Sequence, residues 1–293
     1  MTARTLWGQP TAPARTPANR KSMPRDNGAV TFLLDSAVAS ERRGDGRFDV
    51  QLTADWNTAN GTPNGGYILA LLQDAVMAES KHPDALTIAV TYFRPALPGA
   101  ATVTVREVRA GRRVSTYDAV LVQGDREIAH AVVSTHDWDA TGTVEHTPHA
   151  APDVPAPDDC TDVSDLIPLG MVPILDRYAY RSPTVPGWLS GQPSGVTESL
   201  CWIRAADERP VDALLAGAMV DAFPPVTAEI GHLASATIQL TVHYRRRPST
   251  VWALGHVVSR HVIAGYHDED VELWDESGQL IAQGRQLAIL ANG

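Results

Sequence analysis

Three polar residues of this 293-residue chain lie in predicted helices or strands at positions where each could take part in chemistry. The first is Asp221, seven residues after Leu214 and three after Ala218, on the apolar face of a predicted helix over 211–221. It lies in the last helical turn, where the helix dipole disfavours a carboxylate by about 1 kcal/mol or less. Burial there would raise its pKa unless a hydrogen-bond donor lies against it. The alternative is an ordinary acid at a helix end that reaches solvent or caps a neighbouring strand.

Gln286 is the second of these residues, and it lies in the last predicted strand. Strand alternation groups it with small and apolar residues, namely Ala282, Gly284, Ala288 and Leu290. A buried primary amide must find partners, and it can both hold a carboxylate and donate to a water. The alternative is a glutamine that satisfies backbone groups at an irregularity of the strand.

Thr237 is the third residue, and alternation puts it on the polar face of its strand. That face also carries Gln239, Thr241 and His243, opposite the apolar face of Ile238, Leu240 and Val242. We nevertheless expect Thr237 to border a site at the entrance of the strand. A threonine present only for its strand propensity is the alternative.

A glycine pair, Gly65-Gly66, follows Asn64 and opens a helix predicted over 67–78. This helix is apolar on nearly every side, so other structure should wrap it. Glycines at a helix start let a ligand carbonyl approach the free N–H groups, where the helix dipole favours negative charge. The alternative is a tight turn that binds no ligand.

The elements that position these residues occur twice. The strand phrase of 86–95 returns at 236–245, and an apolar helical run precedes each copy. So long a period indicates two copies of one small domain rather than a solenoid. We expect Pro210 to be the first residue of the second helix, and Pro224-Pro225 to end it. The predicted strands are 31–34, 47–52, 86–94, 101–109, 113–123 and 126–135 in the first half, and 198–204, 236–245, 251–260, 267–274 and 279–290 in the second.

The two copies are unequal at the candidate positions. Aligned on the helices, the acid and the hydroxyl of the second half match Asp74 and Thr87 in the first, but Val133 stands where Gln286 is expected. The glycine pair, in turn, has no counterpart at 212–213. We therefore expect one composite site, with Asp74 and Thr87 as a relic of a second. In that site the glycine turn of the first half faces three residues of the second: Asp221, Thr237 and Gln286.

Composition excludes several classes of protein. The chain is 44% apolar and 20% charged, with no apolar run near the length of a membrane span. A formal charge of −10 argues against nucleic acid or an anionic membrane as the main partner. Cys160 and Cys201 fit neither a disulfide framework nor a metal motif, and the first residues show no secretory pattern. A cytoplasmic protein is expected.

One buried helix wrapped by antiparallel strands in each half, together with the glycine pair, resembles the thioesterase II-like branch of acyl-CoA thioesterases over 30–292. In that family one chain holds two hot-dog domains, an α+β fold in which a curved antiparallel sheet wraps a central helix. The resemblance implies such domains over 29–138 and 170–293. Residues 1–28 are expected to form a disordered tail, and 139–169 a Pro- and Asp-rich linker.

The resemblance also implies a function. The family's water-activating set is an Asp on the second helix, a Ser or Thr opening the next strand, and a Gln on the last strand, which match Asp221, Thr237 and Gln286. The family commonly has Asp-His after the Ser or Thr, where this chain has Gln239-Leu240. The implied reaction is hydrolysis of an acyl-CoA, or of another acyl-carrier thioester, to carboxylic acid and free thiol. An oxyanion would be bound at Asn64, Gly65 and Gly66.

The resemblance implies no cofactor and no metal, and it is compatible with a homo-oligomer. Two other functions stay open on the residues. A hot-dog hydratase or dehydratase needs an Asp–His pair near the helix start, and 64–67 offers none. A non-catalytic acyl-thioester or lipid binder would carry Asp221 only as a remnant. Arginines at 112–113 and 245–247 could hold coenzyme A phosphates, although surface arginines beside turns are the commoner explanation.

Overall fold

The structure, a computed structural model, describes residues 31–140, 142 and 144–291. The tail predicted over 1–28 lies outside the described residues. The helices are α1 (Leu33–Val38), α2 (Gly65–Glu79) and α3 (Ala213–Val220). The strands are β1 (Ser40–Gly44), β2 (Arg47–Leu52), β3 (Asp84–Tyr92), β4 (Gly99–Arg109), β5 (Val114–Gln123), β6 (Arg126–His136), β7 (Thr161–Asp162), β8 (Tyr178–Ser182), β9 (Glu198–Ala205), β10 (Ser235–Tyr244), β11 (Ala253–Val258), β12 (Val262–Ile263), β13 (Tyr266–Asp275) and β14 (Leu280–Leu290).

All the described strands belong to one antiparallel sheet that runs through both halves. Its order is β1-β2-β4-β5-β6-β3-β10-β14-β13-β11-β9-β8-β7, with β12 paired to β13. The halves meet where β3 pairs with β10, centred on Ala89 opposite Thr241. The strand phrase that occurs twice in the sequence therefore forms the join between the two copies. Part of the segment predicted as a linker, Thr161–Asp162, pairs with β8.

Each half packs one central helix against its own strands. The apolar sequence of α2 is buried on nearly every side, and its N-cap Asn64 accepts a hydrogen bond from the Tyr67 N–H at 3.1 Å. The helix α3 contacts β10, β13 and β14, as well as α2 itself. One apolar core thus includes residues of both halves, so neither copy forms its core alone.

Two predicted elements are wrong. Residues 31–34 do not form a strand, because Leu34, Ala37 and Val38 are buried at helical spacing in α1. The second helix begins at Ala213 rather than at Pro210, because the Asp212 carboxylate caps it by accepting from the Leu215 N–H at 2.9 Å.

Contacts across the two halves account for part of the arginine run at 245–247. Arg247 forms ion pairs with Asp84 and Asp139, so its guanidinium is already occupied. Within the described part of the chain, no helix is both long and apolar enough to cross a membrane.

Candidate functional site

The start of α2 lies directly against the end of α3. A Cβ atom added to Gly66 would lie 2.5 Å from the carbonyl oxygen of Ala218. A Cβ added to Gly65 would lie 2.8 Å from Asp221 Oδ2. Both distances are too short for a real Cβ, so the close approach of the two helices requires the glycine pair. The glycines, which were predicted to admit a ligand, thus also have a packing role that the sequence pattern does not predict.

One carboxylate oxygen of Asp221 is held by the N-terminal end of α2. The Gly66 N–H donates to Asp221 Oδ2 at 2.8 Å, and Asn64 Nδ2 donates to the same oxygen at 2.9 Å. Asn64 Nδ2 also donates to the Asp221 carbonyl oxygen at 2.8 Å. A helix N-terminus is a favourable place for negative charge, so α2 offsets the unfavourable position of Asp221 at the end of α3.

The pKa of Asp221 reflects a balance between burial and these donors. Burial raises it to about 6, and the hydrogen bonds that the Gly66 N–H and the Asn64 amide donate to the carboxylate oppose that rise. A carboxyl with this pKa is largely ionised at neutral pH and still basic enough to accept a proton. The geometry therefore suits a general base.

Thr237 faces into the site because β10 carries a bulge. Thr237 pairs with the buried Ala288, whereas Gln239 pairs with the exposed Leu287, so Ile238 is an extra residue in the strand. This bulge reverses the regular strand alternation, so the predicted position of Thr237 on the polar face is wrong. Thr237 Oγ1 donates to Gln286 Oε1 at 2.8 Å and lies 3.5 Å from Asp221 Oδ1.

Gln286 faces inward, as its alternation with small residues predicts, and is 8% exposed. Its Nε2 donates to Glu269 Oε1 at 2.6 Å. Burial raises the pKa of Glu269 to about 7, with a smaller contribution from the charge of Asp221. Glu269 was not predicted as a site residue, because the polar segment 266–270 is typical of a strand start that faces solvent. Its alternation with the apolar Val271 and Leu273 was the available signal.

The structure thus brings together the predicted residues of both halves: Asn64, Gly65, Gly66, Asp221, Thr237 and Gln286. Gly65 is fixed in addition by Tyr92, whose hydroxyl donates to the Gly65 carbonyl oxygen at 2.7 Å. The arrangement is a polar network with the free oxygen of a carboxylate beside a hydroxyl and a carboxamide.

The first half does not rebuild this network. The bulges of β3 and β10 follow Ala85 and Thr237, and counting from them the pair of Ile88 with Val133 occupies the place of the pair of Leu240 with Gln286. Thr237 lies three residues before Leu240, and the buried Ala85 lies three residues before Ile88. Ala85 is therefore the counterpart of Thr237. The predicted match of Thr87 to Thr237 is therefore wrong.

The two relic candidates have other surroundings. Thr87 Oγ1 donates to the Val242 carbonyl oxygen at 2.9 Å. Asp74 is half-buried, and its pKa is raised by burial and by the charges of Asp35 and Asp212. Neither residue belongs to the network around Asp221.

Two family models match the chain. A model of the acyl-CoA thioesterase N-terminal domain matches residues 52–136, and a model of the acyl-CoA thioesterase C-terminal domain matches residues 148–290. Together they cover more than half of the chain and include every residue of the network.

The chain is also similar to individual proteins. An uncharacterized protein of Mycobacterium tuberculosis is 27% identical over 276 residues, which cover 83% of this chain and 90% of that protein. The crystal structure of a candidate thioesterase II from Thermobifida fusca is 26% identical with a TM-score of 0.80, covering 90% of this chain and 100% of that one. A hot-dog protein from Alicyclobacillus acidocaldarius has a TM-score of 0.80 at 23% identity, covering 90% of this chain and 100% of that one. The predicted α+β hot-dog fold is confirmed.

Proposed function

This chain belongs to the acyl-CoA thioesterase family, and we propose that it hydrolyses its thioester with a water held by Asp221, Thr237 and Gln286. The observation that carries the proposal is the unequal use of the two oxygens of the Asp221 carboxylate. Oδ2 accepts from Gly66 and Asn64, whereas Oδ1 faces the Thr237 hydroxyl at 3.5 Å. Oδ1 is therefore the oxygen that can take a proton.

The hydrogen-bond directions orient the water. Gln286 Oε1 can only accept, so the Thr237 hydroxyl donates its proton to that oxygen. The lone pairs of Thr237 Oγ1 can then accept from another donor. Asp221 Oδ1 also accepts only. A water that bridges Thr237 Oγ1 and Asp221 Oδ1 from the side of the substrate donates one proton to each oxygen. Its own lone pairs then point away from both oxygens, toward a bound thioester.

In the reaction, the water oxygen attacks the thioester carbonyl carbon and its proton passes to Asp221 Oδ1. The tetrahedral intermediate then expels the thiolate of coenzyme A, which takes the proton from Asp221. The products are the carboxylic acid and the free thiol. Positioned proton transfer of this kind contributes about 10²–10⁴-fold.

The oxyanion has its donors at the start of α2. In the free protein, the Gly66 N–H and the Asn64 amide donate to Asp221. As Asp221 gains the proton of the water it loses its charge and accepts more weakly from these donors, while negative charge develops on the carbonyl oxygen. The N-terminal end of α2, including the Gly65 N–H, favours negative charge at both stages.

The test is thiol release by the purified protein across acyl-CoA substrates of increasing chain length, followed with a thiol reagent. Asp221→Asn should lower kcat by about 10²–10⁴-fold, because it removes the base. Its melting temperature should stay close to that of the wild type, because the replacement is isosteric. Asp74→Asn is the matched control, and it should leave kcat unchanged.

Two outcomes would contradict the proposal. Equal thiol release by the Asp221→Asn variant and the wild type would reject the assignment of the base. Binding of acyl-CoA by the wild type without thiol release would favour a non-catalytic binder.

A further inference from the structure

We propose that Glu269 is a positioning residue that fixes the Gln286 amide in the one orientation in which Thr237 accepts a hydrogen bond from the attacking water. The proposal rests on the proposed function for the role of that water. The contacts that lead to it are those of the protein alone.

Glu269 is a buried carboxyl directly behind the water-binding residues. It is 2% exposed and lies on β13 opposite Gln286 of β14. Its Oε1 accepts from Gln286 Nε2 at 2.6 Å, and its Oε2 lies 3.4 Å from the Val226 N–H, which donates to it. Carboxyl groups so deeply buried are rare unless they are paired, so this one calls for a specific role.

The chemistry of the two groups fixes the direction of the chain of hydrogen bonds. An ionised carboxylate has no proton to donate, so Gln286 must turn its NH₂ group toward Glu269. Its Oε1 then faces Thr237, and the hydroxyl must donate to it, as the 2.8 Å contact shows. Thr237 is left as an acceptor beside Asp221 Oδ1, which is the state that orients the water.

Loss of the carboxylate removes this constraint. The Gln286 amide could then turn over and donate from Nε2 to Thr237. The Thr237 hydroxyl would in turn donate across the 3.5 Å gap to Asp221 Oδ1 and occupy the base. Glu269 acts on the reaction through Gln286 and Thr237, and it does not touch the substrate.

The charges around Glu269 make this orientation depend on pH. Asp221 at the end of α3 and Asp268 on the same strand both raise the pKa of Glu269, in addition to burial. His267, also on β13, has its pKa lowered by burial, and its Nε2 lies 2.7 Å from Ser235 Oγ. As the pH falls, Glu269 gains a proton and ceases to be an obligate acceptor. The acid limb of kcat should therefore contain two ionisations, those of Asp221 and Glu269.

The first experiment compares E269Q with E272Q. Glu272 is the matched control, because it accepts from Gln283 Nε2 at 3.0 Å across the same two strands but on the opposite face. E269Q should lower kcat by about 10- to 10²-fold with little change in KM, and it should remove one ionisation from the acid limb. E272Q should change neither. An unaltered kcat and acid limb in E269Q would overturn the proposal.

The second experiment needs no turnover. In the wild-type protein, the side-chain amide NMR signals of Gln286, assigned by their loss in Q286L, should shift with an apparent pKa near that of Glu269, about 7. The shift should vanish in E269Q and persist in D221N. Signals that do not titrate would overturn the role of Glu269 even if thiol release is normal. Absent thiol release with titrating signals would instead count against the proposed function alone.

Discussion

The two helix starts of this molecule are equivalent by the internal repeat, yet only one of them supports a site. At the first, Asn64 caps α2, and its amide donates to Asp221 of the other half. At the second, Asp212 caps α3, and the pKa of Asp74 there is raised by burial and, to a smaller extent, by the charges of Asp35 and Asp212. The acid that faces the first helix start thus finds an amide donor, whereas the acid near the second finds like charges.

We call the start of α2 with the facing Asp221 the first junction, and the start of α3 with the nearby Asp74 the second junction. At the second junction, an arginine balances the acidic charge. Arg209, whose side chain is 9% exposed, forms 2.8 Å ion pairs with Asp35 and Asp212. The guanidinium therefore serves stability at the place where the first junction has two glycines and a free carboxylate oxygen. One junction thus carries the donors for Asp221, and the other carries an ion pair between the halves.

Among the changes at the two junctions, the largest effect should come from adding a side-chain atom where α2 and α3 touch at the first junction. Gly66→Ala puts a Cβ 2.5 Å from the Ala218 carbonyl oxygen, so α2 and α3 must move apart. Displacement of Asp221 by about 1 Å should lower kcat by about 10²-fold. The overpacking should also cost about 1–3 kcal/mol of unfolding free energy. Steady-state thiol release and chemical denaturation measure the two effects.

The control for this variant is Ala213→Gly, which changes the first residue of α3 at the second junction. It should leave kcat unchanged, because no carboxylate of a site lies against that helix start. Wild-type turnover in the Gly66→Ala variant would show that the glycine pair does not set the position of Asp221.

Much of this comparison could be predicted from the sequence, because it follows from periodicity. The repeat, the central helix over 67–78 and the inward face of Gln286 all come from regular spacing. The inward direction of the Thr237 side chain could not be predicted, because the extra residue Ile238 reverses the strand alternation and the neighbouring sequence carries no signal for a bulge. Glu269 was missed for a different reason: its acidic neighbours suggest a solvated segment, whereas its burial depends on strand pairing across the sheet.

The second-largest effect should be on stability alone. Arg209→Met leaves Asp35 and Asp212 without their shared cation, and it should lower the unfolding free energy by about 1–3 kcal/mol. The kcat should not change. Arg247→Met is the matched control, because Arg247 also joins the halves through ion pairs but its side chain is 46% exposed. That variant should lower the unfolding free energy by less than Arg209→Met does, because an exposed ion pair adds little to stability. Equal losses in the two variants would show that burial of Arg209 adds nothing.

The smallest change makes the first junction resemble the second. Asn64→Asp replaces the amide donor of Asp221 with a carboxylate, and the like charge should raise the pKa of Asp221 above its wild-type value. The base must be ionised, so activity is lost as the pH falls through the pKa of Asp221, about 6 in the wild type. In the variant, the acid limb of kcat should therefore move to higher pH, with partial recovery of kcat in alkaline buffer. Folding should be preserved, because aspartate caps α3 in the native chain. An acid limb that stays in place would mean that the cap residue does not set the basicity of Asp221.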